Sequence, residues 1–343
     1  MRKLNFGIIG CGRIAYKHAE AIKKNENANL LCVSDIIGER ALEYKNKYGA
    51  EAHYIDYHEM LEHTGLDVVN ICTPSGLHAE MGIAAAKAGK HVIVEKPMAL
   101  SLKDADDLIN ACEENGVKLA VCFQNRFNPP VQKLRRALED GRFGKLTHAS
   151  AVIRWFRPQD YYDQAPWRGT WAMDGGCLMN QSIHNIDLLQ WMMGPVESVF
   201  GHTATNLRKI EAEDVGVAVL KFKNGSLGVI EASTTIYPEN LEETLNIFGE
   251  KGTVVLGGIA VNKIETWKFA DSTKENGDLN QHQQDVPNVY GFGHNALVDD
   301  FTQAVNNNKE PYIDGREGRK ALEIILAVYC STRTGSKIEV PIS

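Results

Sequence analysis

The sequence contains no run of about 18 apolar residues, the length a membrane-spanning helix needs, so none of its 343 residues read as a membrane anchor. Its seven cysteines (Cys11, Cys32, Cys72, Cys112, Cys122, Cys177 and Cys330) are odd in number, scattered, and form no C-x-x-C pair. A disulfide framework and a structural zinc site are therefore not expected, and a reducing cytoplasm fits best. Cys32 and Cys72 lie inside apolar runs, LLCVSD and VVNICTP, where cysteine acts as a small buried hydrophobe. Positive charge is in deficit: 37 Lys and Arg against 44 Asp and Glu give a net charge of −7, with no basic stripe. That excludes a wide nucleic-acid surface, because phosphate binding needs concentrated cations. Internal repeats and low-complexity stretches are absent. The opening MRKLNFGIIGCGRIAYKH sets two cations before an apolar stretch, but that stretch is short, holds three glycines and runs into Arg13 and His18, unlike a signal peptide. His53, His58 and His63 recur every five residues, which does not align on a helix face; they read as surface residues, and no metal site is expected.

What is present is enough chain for two cores. A single core stops growing at roughly 250–300 residues, so two domains are expected. Through residue 123, apolar runs (4–9, 30–34, 68–72, 91–94, 117–123) alternate with helical patterns (14–24, 40–48, 78–88, 103–114). Strands apolar on both faces, separated by amphipathic helices, indicate a parallel sheet covered on both sides, a doubly wound α/β domain over 1–123. From Gln124 the rhythm changes. After a helix opened by Pro129 and Pro130, strands follow in series over 146–155, 196–205, 214–222, 226–235, 244–248 and 253–256, interrupted by one helix over 182–193. Lys223-Asn224-Gly225 reads as a hairpin turn. A serial antiparallel sheet with helices on one face is expected for 124–343, with a surface loop over 271–285 and closing helices over 294–307 and 315–331.

Gly10-Cys11-Gly12-Arg13-Ile14-Ala15 carries G-x-G-x-x-A directly after a strand and at the start of a helix. Gly10 makes the tight turn, Gly12 lets backbone N–H groups of the Arg13 and Ile14 stretch approach a pyrophosphate, and Ala15 lets the helix pack close to the sheet. The helix N-terminus then stabilises the phosphate charge. The second strand ends in Asp35, twenty residues after Ala15, where an acid receives the ribose hydroxyls of NAD. Its carboxylate would repel a 2′-phosphate, and Ile36 and Ile37 follow in place of a cation, so NAD is expected over NADP; Arg40 is the one nearby cation. Ligands in open α/β sheets sit outside the carboxyl ends of strands, so Thr73, Pro74, Ser75 and His78, then Glu95, Lys96 and Pro97, and finally Gln124 belong to the same crevice.

Lys96 stands at such a strand end, where a neighbouring nicotinamide would destabilise its ammonium and suit it to proton transfer. An exposed turn lysine is an equally good reading of that spacing. A second constellation, GG-x3-N-x3-H-x2-D, sets Asn180 and His184 one helical turn apart and His184 three residues before Asp187. The competing reading is a capped helix whose histidine bonds to Asp187.

GIIGCGRIA, CTPSGLH and VEKPMAL, followed by that helix, resemble the Gfo/Idh/MocA family of NAD(P)-dependent sugar oxidoreductases along essentially the whole chain. The resemblance implies a Rossmann dinucleotide-binding domain followed by an α+β domain with a large open, mostly antiparallel sheet, and homo-oligomers, dimers or tetramers, formed through those sheets. It further implies that Lys96 and His184 flank the oxidised carbinol and that Pro97 follows a cis peptide. Many members carry Asp where this chain has Asn180. An amide cannot relay a proton, so weight moves to Lys96. FQNRFNPPVQ (123–132) and LMNQSIHNIDLLQWMMG (178–194) are most similar to the UDP-N-acetylglucosaminuronate 3-dehydrogenase branch. That branch implies a 3-keto nucleotide sugar destined for surface polysaccharide, with 2-oxoglutarate as a candidate acceptor that regenerates NAD.

A nucleotide sugar acid asks for cations and amides. Arg126 and Asn128 open the second domain, and Arg154, Arg157 and Arg168 are interleaved with Trp155, Tyr161, Tyr162 and Trp167, a mixture suited to stacking on sugar or uracil. The substrate contacts expected are Lys96, Arg126, Asn128, Arg154, Trp167, Arg168, Asn180 and His184. For any single arginine a solvated sheet edge competes, and Tyr290-Gly291-Phe292-Gly293-His294 is a weaker candidate contact. The expected activity is oxidation of C3 of a UDP-linked N-acetyl hexuronic acid. The alternatives are an inositol or free-sugar dehydrogenase, or an NAD-binding sensor without chemistry.

Overall fold

The computed structural model describes residues 2–271, 291 and 293–342. Contacts divide the chain into two compact units: Met1–Gln124 with His294–Arg319, and Asn125–Gly293 with Lys320–Ser343. Residues 294–319 thus pack with the first unit, whereas the sequence suggested that everything after 123 formed the second. The expected surface loop lies, from residue 272 onward, outside the described residues, as do Tyr290 and Phe292.

In chain order the first stretch comprises β1 (Leu4–Ile9), α1 (Ala15–Lys24), β2 (Ala28–Ser34), α2 (Gly38–Tyr48), β3 (Ala52–Tyr54), α3 (Tyr57–Leu61), β4 (Val68–Ile71), α4 (His78–Lys87), β5 (His91–Val94), α5 (Leu102–Glu114) and β6 (Leu119–Val121). The six strands form one sheet in the order β3-β2-β1-β4-β5-β6, every pair parallel. Phe6, Ile8, Val33, Val69, Val92 and Ile93 are fully buried, as strands covered on both faces require. α5 begins at Ser101, which accepts the N–H of Asp104 and satisfies one of the free donors of the first turn. Strand order reverses between β1 and β4, and in such sheets the ligand crevice opens at the carboxyl ends flanking that switch.

The remaining elements are α6 (Pro129–Glu139), β7 (Leu146–Arg154), α7 (Gln159–Asp163), α8 (Ile183–Met193), β8 (Val196–Ala204), β9 (Val215–Phe222), β10 (Leu227–Ser233), β11 (Glu242–Gly249), β12 (Gly252–Gly257), β13 (Lys263–Phe269), α9 (Gly293–Asn306), α10 (Gly315–Thr334) and β14 (Ile338–Glu339). The second unit holds an eight-stranded sheet in the order β13-β12-β11-β7-β10-β9-β8-β14. It is mostly antiparallel but not serial: β7 sits between β10 and β11 and runs parallel to β10. α8 packs on β7 and β11. Strand parity gives the two faces different characters. Ala149, Ala151, Ile153, Leu245 and Ile247 are buried on one, while Val217, Val219, Leu227 and Val229 project from the other and remain exposed. Among the described residues, no helix is long and apolar enough to cross a membrane.

Candidate active site

The turn after β1 is built for close backbone approach. Gly10 has φ +88°, and a Cβ there would lie 2.9 Å from the Cys72 carbonyl carbon and oxygen. A Cβ on Gly12, by contrast, would meet nothing within 4 Å, so space lies open beside the loop. Ile14 caps α1 without a side-chain hydrogen bond, and the first turn contains no acid. The N–H groups of that turn have no side-chain cap, which suits a phosphate. Asp35 is buried beside them. Its Oδ2 accepts the Cys11 N–H at 2.9 Å and its Oδ1 accepts the Ile37 N–H at 2.8 Å, with Arg40 Nη1 3.4 Å away. Tyr44 donates to the Gly12 carbonyl at 2.8 Å and ties α2 to the loop. Ile36, 89% exposed, offers apolar surface next to the acid. Open space over Gly12, an uncapped helix and a fixed ribose-side acid together fit a dinucleotide. Arg13 is exposed and Ile14 half-buried at the same helix start.

The later strand ends are more heavily committed than the sequence suggested. His78 does not present its ring to a ligand: it is buried, with Nε2 2.8 Å from the Thr73 carbonyl and Nδ1 2.7 Å from that of Pro97. Burial pushes the ring below its usual pKa, and both carbonyls oppose that. His78 braces the loops after β4 and β5, leaving Thr73 and Pro74 half-buried and Ser75 buried in a short 3-10 turn. The Glu95 side chain likewise turns inward, to His18 at 2.9 Å, rather than toward a cofactor. Lys96 is half-buried, its backbone N–H donates to Glu95 Oε2 at 3.2 Å, and the Lys96–Pro97 peptide is cis. Gln124 is buried, and its Oε1 has no hydrogen-bond partner among the described residues, an acceptor still to be satisfied.

In the second unit the regular helix expected for Asn180 and His184 is interrupted. Cys177–Gln181 forms a π-type turn, and α8 starts only at Ile183. Between residues 174 and 190 only Asn180 and His184 are partly exposed; all their neighbours are buried. The Asn180 amide donates to Asp174 Oδ1, and Asp174 Oδ2 accepts the Gly169 N–H at 2.8 Å. Asp187 pairs through both oxygens with Arg126, at 2.6 and 2.8 Å. Arg126, 1% exposed and stacked on Trp191, is thereby committed to the core rather than presented at a surface.

Two more of the expected contacts are engaged by partners within the chain. Asn128 is buried and donates to the Ala260 carbonyl at 2.8 Å. Arg154 lies on the sheet face opposite Ile153, bound at 2.6–2.7 Å to Glu231 through two nitrogens and to Glu242 through a third. Arg168 stays available: its guanidinium covers Tyr161 and Trp167 at 4.4 and 4.7 Å, and its Nε is buried without a partner among the described residues. Two buried acids escaped the sequence reading. Burial pushes Glu213 up to about 7 despite hydrogen bonds from the Leu178 N–H and the Tyr329 hydroxyl, and pushes Glu243 up to about 8 with only Arg157 opposing.

Two family profiles match these two regions. Residues 4–123 match the oxidoreductase family with the NAD-binding Rossmann fold, and residues 131–255 match the GFO/IDH/MocA C-terminal domain. The chain belongs to the Gfo/Idh/MocA family. As a Gfo/Idh/MocA protein it is an NAD-dependent sugar dehydrogenase, which sets aside the reading of a sensor without chemistry. Among relatives, myo-inositol 2-dehydrogenase of Thermotoga maritima is 33% identical, with 93% of each chain covered. Among solved structures, the WlbA dehydrogenase of Bordetella pertussis, in complex with NADH and UDP-GlcNAcA, is 42% identical at a TM-score of 0.95, covering 100% of this chain and 99% of that one. The WlbA dehydrogenase of Chromobacterium violaceum, also with NADH and UDP-GlcNAcA, is 40% identical at a TM-score of 0.94, covering 100% and 97%.

Proposed function

We propose that this dehydrogenase oxidises the C3 hydroxyl of a UDP-linked N-acetyl hexuronic acid to the 3-keto sugar, a step toward surface polysaccharide sugars. The observation that carries this reading is its full-length likeness, at 40–42% identity, to two WlbA dehydrogenases whose structures hold UDP-GlcNAcA. When bound, NAD supplies the acceptor for the hydride leaving C3. In this reading Lys96 takes the hydroxyl proton on Nζ. His184 and Asn180, the partly exposed positions of an otherwise buried run, contact the sugar. The Asn180 amide orients and does not relay a proton. Arg168 and Trp167 supply a cation and an aromatic face for the nucleotide end. Positioning accounts for much of the rate, as it does when the cofactor carries the chemistry.

The homo-oligomer belongs to the same proposal. Phe200, Val219 and Val229 stand in one cross-strand row on the open face of the eight-stranded sheet, each at least 37% exposed. An apolar row of this kind suits a second copy of the chain. A cytoplasmic setting follows from the nucleotide-sugar substrate and the seven free cysteines.

The 33% identity to a myo-inositol 2-dehydrogenase supports a second reading, a polyol or free-sugar dehydrogenase. Purified protein mixed with NAD and UDP-GlcNAcA, with and without 2-oxoglutarate, separates the two. Formation of a keto sugar is the expected result, with 2-oxoglutarate reduced to the hydroxy acid if it regenerates NAD. Turnover of myo-inositol with none of the nucleotide sugar would overturn the substrate assignment. Lys96→Met should abolish turnover and leave NAD binding intact.

A further inference from the structure

Behind Lys96, within the first unit, lies a buried network that proton transfer itself does not use. Asn70 on β4 donates through Nδ2 to Nδ1 of His18 at 2.8 Å, which leaves the ring proton on Nε2. That Nε2–H donates to Oε1 of Glu95 at 2.9 Å, and the other carboxylate oxygen accepts the backbone N–H of Lys96 at 3.2 Å. His294 on α9 brings its Nε2 to 3.5 Å from Oε1 and meets the His18 ring edge-on, centroids 5.3 Å apart. The three side chains are at most 7% exposed. Burial alone would push the Glu95 carboxyl up, but the His18 hydrogen bond and the polar His294 ring beside it outweigh that and hold the group well below the usual carboxylate range. A buried anion of this kind persists only while its donors are in place.

The three donor atoms lie within 4.8 Å of one another, close enough to raise the question of a metal ion. A ring whose Nδ1 accepts from Asn70 carries its proton on Nε2, and a protonated nitrogen does not ligate.

We infer that His18 is a positioning residue for Lys96, acting through Glu95, whose carboxylate pins the backbone from which the lysine projects. Asn70 sets the tautomer that lets His18 donate, and His294 closes the other side of the carboxylate. The inference rests on the proposed role of Lys96.

The test compares His18→Leu, which removes the donor, with His18→Gln, whose amide restores one. With UDP-GlcNAcA and NAD, kcat should fall on the order of 10- to 100-fold in His18→Leu, the scale of a misplaced reacting group, with the NAD dissociation constant nearly unchanged. His18→Gln should recover much of the loss. Hydrogen exchange at the Lys96 amide should accelerate in His18→Leu and not in His18→Gln. If His18→Leu does not fold, Asn70→Ala, which frees the tautomer, should lower kcat in the same direction. An unchanged Lys96 amide in His18→Leu, an unchanged kcat in that variant, or stoichiometric zinc in the purified protein would each overturn the inference. Retained turnover in Lys96→Met alone would instead overturn the role given to the lysine, and the exchange measurement would still report on the network.

Discussion

Arg126 and Asp187 form a bidentate ion pair, Nε to Oδ2 at 2.8 Å and Nη2 to Oδ1 at 2.6 Å, with each side chain 1% exposed. The pair links the segment opening the second unit to α8, and Trp191 stacks on the guanidinium at 4.9 Å. Removing one partner strands a buried charge, so Asp187→Ala should destabilise the second unit by about 3–5 kcal/mol. Urea unfolding monitored by tryptophan fluorescence reads this directly. A loss below about 1 kcal/mol, the scale of an exposed pair, would contradict a structural role.

The same pair shows where reading the sequence stopped. The strands and helices of the first domain were legible because continuous apolar runs and 3.6-residue spacing leave few alternatives. β3, three residues long at a sheet edge, was not, since AHY has no apolar run to mark it. Insertion of β7 between β10 and β11 was invisible because strand order depends on pairings far apart in the chain. Among site residues, the glycine turn and Asp35 could be read from spacing. The partners of Arg126, Asn128 and Arg154 could not, because nothing local shows that these side chains face Asp187, the Ala260 carbonyl and the Glu231 and Glu242 carboxylates. His18 did leave a trace. It occupies a position of the buried stripe formed by Ala15, Ala19 and Ile22, where a polar residue needs a partner.

The two glycines of the turn after β1 should fail differently. Gly10→Ala places a Cβ against the Cys72 backbone at a positive φ, and should cost about 1–3 kcal/mol of stability with or without cofactor. Gly12→Ala fills open space, so the cofactor-free protein should melt as before while the NAD dissociation constant rises by about tenfold or more, roughly 1.4 kcal/mol. Calorimetric melting and NAD titration separate the two outcomes. Unchanged NAD affinity in Gly12→Ala would mean that no phosphate uses that space.

Asp35 does two things at once. It accepts two backbone N–H groups, with Arg40 Nη1 at 3.4 Å, and its carboxylate would repel a 2′-phosphate. Asp35→Ala should weaken NAD, relax discrimination against NADP, and free Arg40 to meet the added phosphate. Paired titrations with both dinucleotides test this, and an unchanged NAD-to-NADP ratio would remove Asp35 from the ribose contact.

The row of Phe200, Val219 and Val229 predicts the weak point of the proposed oligomer. Val219→Lys puts a charge at the middle of the row, where burying it against a second copy is costly. Light scattering should show the proposed oligomer dissociating, with the folded content of each chain unchanged by circular dichroism. A wild-type protein that is monomeric at assay concentrations would end this proposal.

Glu243, buried on the helix-covered side of β11, makes stability depend on pH in a stated direction. Its folded pKa of about 8 lies above the ordinary 4.5, raised by burial against the weaker opposing charge of Arg157. Between those values the folded state holds a proton that the unfolded state has released. Stability is then fully present below about 4.5 and is lost as pH rises toward about 8, with a slope of at most about 1.4 kcal/mol per pH unit from this one group. Glu213, pushed up to about 7 by burial, adds a term of the same sign over a narrower window. Glu243→Gln, which keeps the shape and cannot ionise, should flatten the decline, so that variant and wild type diverge most at the alkaline end. Urea midpoints of both proteins measured from pH 5 to pH 9 bracket the window. Parallel curves over that range would mean that the Glu243 carboxyl finds a compensating donor when it ionises, and that its burial costs the fold nothing.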